Sequence, residues 1–299
     1  MSDYPDAARP LAQLEPRHEF FIGIDSDGCA FDTMEIKHKE CFIPNIIKHW
    51  DLQPVSKYAR EVGEFVNLYS KWRGINRWPA LVKVFDLLAE REEVTARGVE
   101  LPEVPQLRAF IAAEDFAMSN DGLEAFMAQQ PSAELHTAWA WTTGVNAAVE
   151  DMVHGVPPFP WVKKSLGLLA DKADMMVVSA TPVEALTREW NEHEIAPFVR
   201  VIAGQEMGKK ALHLELAAKD RYSAEKILMI GDAPGDLQAA RANGALFYPI
   251  NPGHEERSWR RFHEDAMHRF LAGEFAGAFE ASLIAEFEEF LPDRPPWDR

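Results

Sequence analysis

Phe20-Phe21-Ile22-Gly23-Ile24-Asp25-Ser26-Asp27-Gly28-Cys29-Ala30-Phe31-Asp32 is the stretch on which the fold turns. Five mostly apolar residues run into two carboxylates one residue apart, and then a glycine. A short apolar run closed by a glycine turn reads as a buried strand. Asp25 then lies at the strand's carboxyl end, where open α/β sheets place their chemistry. A sharp turn at Gly28 lets Asp25 and Asp27 face one site. Two close acids in a partly buried site repel, which favours a bound cation or a shared proton. An EF-hand loop does not fit, because the flank is a strand, Cys29 offers no oxygen, and Gly28 stands at the wrong offset.

Outward from this stretch the pattern changes twice. From Met34 to Trp50 apolar residues fall at helical spacing, with Pro44 as an interruption. Tyr58–Trp72, Pro79–Ala89, Leu107–Phe116, Gly122–Gln129 and Ala133–Met152 continue in the same period, and no strand is predicted between 33 and 160. The run Gly155-Val-Pro-Pro-Phe-Pro160 is a stiff connector. Beyond it, strands are predicted at 174–179, 199–203, 226–231 and 245–249, with helices between them. Such alternation with short joins means a doubly wound parallel sheet. The strand at 20–24 has no partners nearby in sequence and must join the later ones. An α/β core formed by 1–33 and 161–299 therefore receives residues 34–160 as an inserted, all-helical cap domain. Residues 255–299 add a C-terminal helical extension, whose aromatic stripe packs on the core or forms a homodimer surface. Residues 1–17, polar with three prolines, read as a loose lead-in.

Composition limits the function. The chain has 299 residues, 47% of them apolar, and a formal charge of −17, which argues against nucleic acid and anionic membranes as partners. A metal and a few cations can still make an anionic substrate welcome locally. Two cysteines, Cys29 and Cys41, could pair but make no disulfide framework. With no apolar leader and no run of roughly 18 apolar residues, a cytoplasmic protein is expected.

Polar residues stand at four predicted strand tips: Asp25 and Asp27, Ser179, the 204–210 stretch with Lys209 and Lys210, and Gly231-Asp232-Ala-Pro-Gly235-Asp236. Ser179 is also a ready helix cap, and the lysines a ready solvated pair. Taken jointly, and in this order, the four resemble the motifs of the haloacid dehalogenase superfamily: Asp-x-Asp, a closing Ser/Thr, a lysine, and Gly-Asp-x-x-x-Asp. The insertion point after the first motif matches the family's C1 caps.

The resemblance implies a phosphatase. Asp25 would be the nucleophile that forms an aspartyl-phosphate, and Asp27 the acid and then the base. Mg2+ would be held by Asp25, the carbonyl of Asp27 and Asp232, with Asp236 behind these ligands or bound through a water. Ser179, Ala180 and Gly28 with their backbone amides, and one lysine, Lys209 in preference to Lys210, would bind phosphate oxygens. The substrate would be a small phosphorylated metabolite. Asp27 favours phosphate monoester hydrolysis over dehalogenation; a sugar phosphomutase and a catalytically silent scaffold are the alternatives. In the cap, Arg73 and Arg77 are candidate substrate contacts, with surface arginines lying along the cap core as the other reading.

Overall fold

The computed structural model describes residues 4–298. They form two compact units. One runs up to Met34 and resumes over Gly155–Leu291, and the other comprises Glu35–His154 and the residues from Pro292 onward.

The first unit is built on five parallel strands: β1 Phe20–Ile24, β2 Ala173–Val178, β3 Val201–Ala203, β4 Ile227–Gly231 and β5 Leu246–Pro249, in the order β3-β2-β1-β4-β5. β1 is central, with Ile22 opposite Met175 on one side and Leu228 on the other. The strands read as unbroken apolar runs because both faces are covered. On one face Ile22, Ile24, Val177 and Ile230 meet Trp190 of the helix Val183–Glu192 and Trp259, Phe262 and Phe270 of the C-terminal region. On the other, Phe21, Val178 and Met229 meet Leu214, Ala240 and Phe287. The apolar stripe of 255–291 is thus spent on the sheet. The loose lead-in is not observed: Arg9–Ala12 is a helical turn, and Ala8, Leu11 and Leu14 are buried in the second of these clusters.

Asp174, at the start of β2, ties that N-terminal segment down. It is buried and accepts hydrogen bonds from the amides of Arg17 (2.7 Å) and His18 (2.9 Å) and from the Tyr222 hydroxyl (2.9 Å), and it pairs with Arg200. Burial pushes its carboxyl up, but these donors together hold it below the usual range. An acid depressed in the folded state contributes stability above its unfolded pKa, about 3.9, and loses it as pH falls through the lower folded value. Asp174→Asn is expected to cost about 3 kcal/mol at pH 7, by leaving Arg200 and buried donors without their charge partner. In urea melts this cost should shrink as pH falls below about 4. An unchanged midpoint at pH 7 would refute it.

The second unit has its own core, centred on Trp141. Trp78 (5.6 Å), Trp50 (5.8 Å) and Phe42 (6.1 Å) lie edge-on or tilted around it. Its main helices are Ile43–His49, Ser56–Leu68, Arg77–Glu90, Pro105–Ala112, Asn120–Gln129 and Ala133–Met152. Asn76, Ser119 and Ser132 cap three of them with side-chain oxygens. Pro44 does not break the first helical run. The turns at Lys37–Phe42 widen to π geometry just ahead of it, which accommodates a ring that displaces the carbonyl four residues back. The tail belongs here and not to the extension of the first unit. The Lys71 amide donates to the Pro292 carbonyl (3.2 Å), and Trp297 packs against Phe65 (5.5 Å) and Arg91 (4.5 Å).

Candidate active site

All four polar strand tips lie at the carboxyl edge of the sheet in the first unit. β1 ends in its last ladder bond, from the Asp25 amide to the Ile230 carbonyl (3.0 Å), and the chain then turns. Gly28 has φ 75°, a left-handed conformation that suits glycine, and its amide closes the turn on the Phe31 carbonyl (2.8 Å). The expected amide donor to a ligand at Gly28 is therefore already engaged. The intervening Ser26 is fully buried, where its hydroxyl donates to Glu189 and accepts from the Trp190 indole, both at 3.0 Å. The Trp259 indole holds the Cys29 carbonyl from the C-terminal side (2.7 Å). Cys29 is a buried filler, and both cysteines are free thiols.

Asp25, Asp232 and Asp236 are buried together, with a carboxylate oxygen from each within 4.8 Å of the others. Lys210 bridges two of them, its Nζ 2.7 Å from Asp25 Oδ2 and 2.6 Å from Asp236 Oδ1. Asp236 is the third residue of the helix Pro234–Ala242, and its other oxygen accepts the amides of Asp232 (3.2 Å) and Ala233 (3.1 Å). Gly231 makes this possible. A Cβ there would lie 2.4 Å from Cβ and Cγ of Asp236.

The two lysines are placed differently. Lys209 is exposed and precedes the helix Lys210–Ala217, whereas Lys210 begins it and reaches inward. Ser179, at the tip of β2, does not cap the next helix. Its hydroxyl accepts the Thr181 amide (3.2 Å) in a tight turn, while its own amide bonds the Ala203 carbonyl. Ala180 is exposed at that turn.

Asp27 is held by two threonines. Thr181 donates to Oδ2 at 2.6 Å, and Thr33 donates to Oδ1. Neither threonine was singled out by the sequence, where Thr181-Pro182 reads only as a helix start; a hydroxyl two residues past Ser179 was the available signal. His213 was also missed. Its ring is buried one turn after Lys210, and burial together with the Lys210 ammonium pushes it down to about 4, so it is neutral at pH 7.

Electrostatics set what the cluster can do. Burial pushes the Asp25 carboxyl well up; Lys210 pulls it down, and the charges of Asp236 and Asp232 push it up again. Lys210 is lowered by burial and raised further by Asp236 and Asp25, so it stays an ammonium. Three buried carboxylates against one ammonium leave negative charge in surplus. Hard oxygen donors with surplus negative charge fit a hard divalent cation.

No protein-family model and no curated protein matches the chain. Solved structures do. The chain is similar to haloacid dehalogenase-like proteins. A haloacid dehalogenase-like hydrolase from Streptococcus pneumoniae is 16% identical, with a TM-score of 0.45 over 82% of this chain and 91% of that one. A predicted phosphoglycolate phosphatase from Haemophilus somnus is 16% identical, with a TM-score of 0.46 over 81% and 89%. A 2-haloacid dehalogenase from Pseudomonas syringae is 14% identical, with a TM-score of 0.39 over 78% and 87%.

Of the cap candidates, neither is a surface arginine on an open face. Arg73 is buried and donates to the Leu68 carbonyl (2.8 Å), and Arg77 is half-buried and donates to Thr142 and Asn146. Among the described residues no helix is long and apolar enough to cross a membrane.

Proposed function

We propose that the protein hydrolyses a small phosphate monoester with Mg2+ as cofactor, through an aspartyl-phosphate on Asp25. The observation that carries this is the buried cluster of Asp25, Asp232 and Asp236 bridged by Lys210, with Asp27 clamped by two hydroxyls beside it. Asp25, Asp232 and Asp236, with the backbone carbonyl of Asp27, would hold the ion. When bound it supplies the positive charge that lets a carboxylate approach a phosphate dianion.

Asp25 attacks phosphorus through a carboxylate oxygen, the ester P–O bond breaks, and Asp27 gives the leaving oxygen a proton. Asp27 then takes a proton from water as the water oxygen attacks the aspartyl-phosphate. Inorganic phosphate leaves and Asp25 is restored. The Thr33 and Thr181 hydroxyls fix the orientation of Asp27, so the proton moves at a defined place. Ser179, at the tip of β2, and the Lys210 ammonium serve the phosphate oxygens.

The test is release of inorganic phosphate from a panel of small phosphate esters, with Mg2+ and with a chelator. Turnover should require the metal. Lys210→Ala should lower kcat by about 10^2-fold or more, as for loss of one charged donor to a developing oxyanion. Lys209→Ala should stay within about two-fold, since an exposed lysine has little to lose. Turnover unaffected by chelation, or carried by Lys209 alone, would sink the proposal. So would silence on a broad panel from protein shown to bind Mg2+.

A further inference from the structure

Arg77 is a half-buried cation without a counter-charge. It opens the helix Arg77–Glu90, the end at which aligned peptide dipoles disfavour positive charge. Burial lowers its pKa, and no carboxylate offsets this. Arginines withdrawn from water are ordinarily paired. Arg91, in the same unit, shows the ordinary case, with Glu61 at 2.5 Å and Glu93 at 3.0 Å. Arg77 instead uses one nitrogen, Nη1, for two neutral acceptors, Thr142 Oγ1 and Asn146 Oδ1, both at 2.8 Å. Its guanidinium lies over the Phe42 ring at 5.1 Å. The Nε–Nη2 edge makes no hydrogen bond with any described residue.

The surroundings are arranged to hold that edge in place. The Thr142 hydroxyl gives its proton to Asn120 Oδ1 (2.9 Å), which leaves its lone pairs for Arg77. The Asn76 side chain donates to the Met118 carbonyl (2.8 Å) and caps its own helix through Oδ1, drawing the start of Asn120–Gln129 towards the start of Arg77–Glu90. Two helix N-termini and a guanidinium therefore meet in one corner. Asp121, the acid in the first turn of Asn120–Gln129, is exposed and makes no ion pair with Arg77. Asn146 is exposed, so the corner has a mouth.

The geometry points to an oxyanion site in the helical unit, where the Nε–Nη2 edge of Arg77 takes two oxygens of a carboxylate or phosphate group. The fork of a guanidinium matches either group with two parallel hydrogen bonds. The ligand brings the negative charge that the protein withholds.

The probes are inorganic phosphate and malonate, added to the full chain with a chelator present. Without metal, the surplus negative charge of the Asp25 cluster keeps anions away from it. Calorimetry and thermal melting should show saturable binding that sodium chloride at equal ionic strength does not reproduce. Arg77→Gln should weaken it at least ten-fold, and Arg77→Lys less. Absence of binding, or equal binding by Arg77→Gln, overturns the site. Should Arg77→Gln fail to fold, Asn146→Asp places a carboxylate beside the guanidinium. It should raise the melting temperature and abolish the anion response, and an intact response overturns the site.

Phosphate esters with and without a second anionic group then separate the sources. A rise in KM for Arg77→Gln confined to doubly anionic esters assigns the anion to the substrate, and uniform kinetics assign it to a free ligand. Only this last arm rests on the phosphatase proposal; the binding measurements stand without it.

Discussion

Asp25→Asn is expected to abolish metal-dependent phosphate release, by about 10^4-fold or more, as when a nucleophile is removed from residues that act as a unit. The same substitution should not weaken the metal-free fold. Burial and the neighbouring carboxylates make the ionised Asp25 costly in the folded state, and Lys210 offsets only part of that. An acid whose folded pKa is raised loses folding stability as pH rises from its unfolded pKa, so a neutral amide removes a cost present at pH 7. Metal-free Asp25→Asn should melt at or above the wild-type temperature, and Mg2+ should raise its melting point less than the wild type's. A mutant that still turns over, or one that melts well below wild type without metal, would contradict this assignment of strain and chemistry to one side chain.

Gly231→Ala is expected to disrupt the acidic cluster with a single methyl group. Its Cβ would lie 2.4 Å from the Asp236 side chain, so that carboxylate must leave Lys210 and the amides of Asp232 and Ala233 together. Overpacking of this kind costs about 1–3 kcal/mol, and the lost charge-assisted bonds add to it. Mg2+ affinity should fall at least about ten-fold, as when a residue supporting a metal site is displaced. Gly235→Ala is the control. Nothing lies within 4 Å of a Cβ there, and the position is helical, so stability should hold or rise by about 0.5 kcal/mol. Calorimetric titration with Mg2+ and urea melts of the pair decide it. Equal behaviour would mean that Asp236 is not locked by the backbone beneath it.

The sheet and its polar edge were legible because buried parallel strands announce themselves as apolar runs ending in Asp25, Ser179 and Asp232, whatever the helices between them do. The choice of lysine was not. Lys209 and Lys210 are chemically alike, and only the phase at which the helix begins sends one outward and the other to Asp25. Thr33 and Thr181 escaped because a threonine beside a helix start has a commonplace role, and only proximity to Asp27 gives it another. In the sequence Asp174 is only the first residue of a predicted strand, yet it collects donors from residues 17, 18, 200 and 222, a convergence no local pattern encodes. The anchoring of Trp297 was hidden in the same way, since a proline-rich tail carries no periodicity to show which surface it will meet.

The central position of β1 also sets a problem for biosynthesis. On the ribosome, Phe20–Ile24 emerges first, but its neighbours β2 and β4 follow about 150 and about 200 residues later, which is tens of seconds at typical rates of synthesis. Until then an apolar strand has both edges open, a template for pairing with other chains. Most of the helical unit is made in the interval and can collapse locally, while the sheet must wait for sequence-distant partners. Refolding from urea should therefore be slow in probes that report β1. During synthesis, the segment around Phe21 and Ile22 is the natural place for a chaperone to bind.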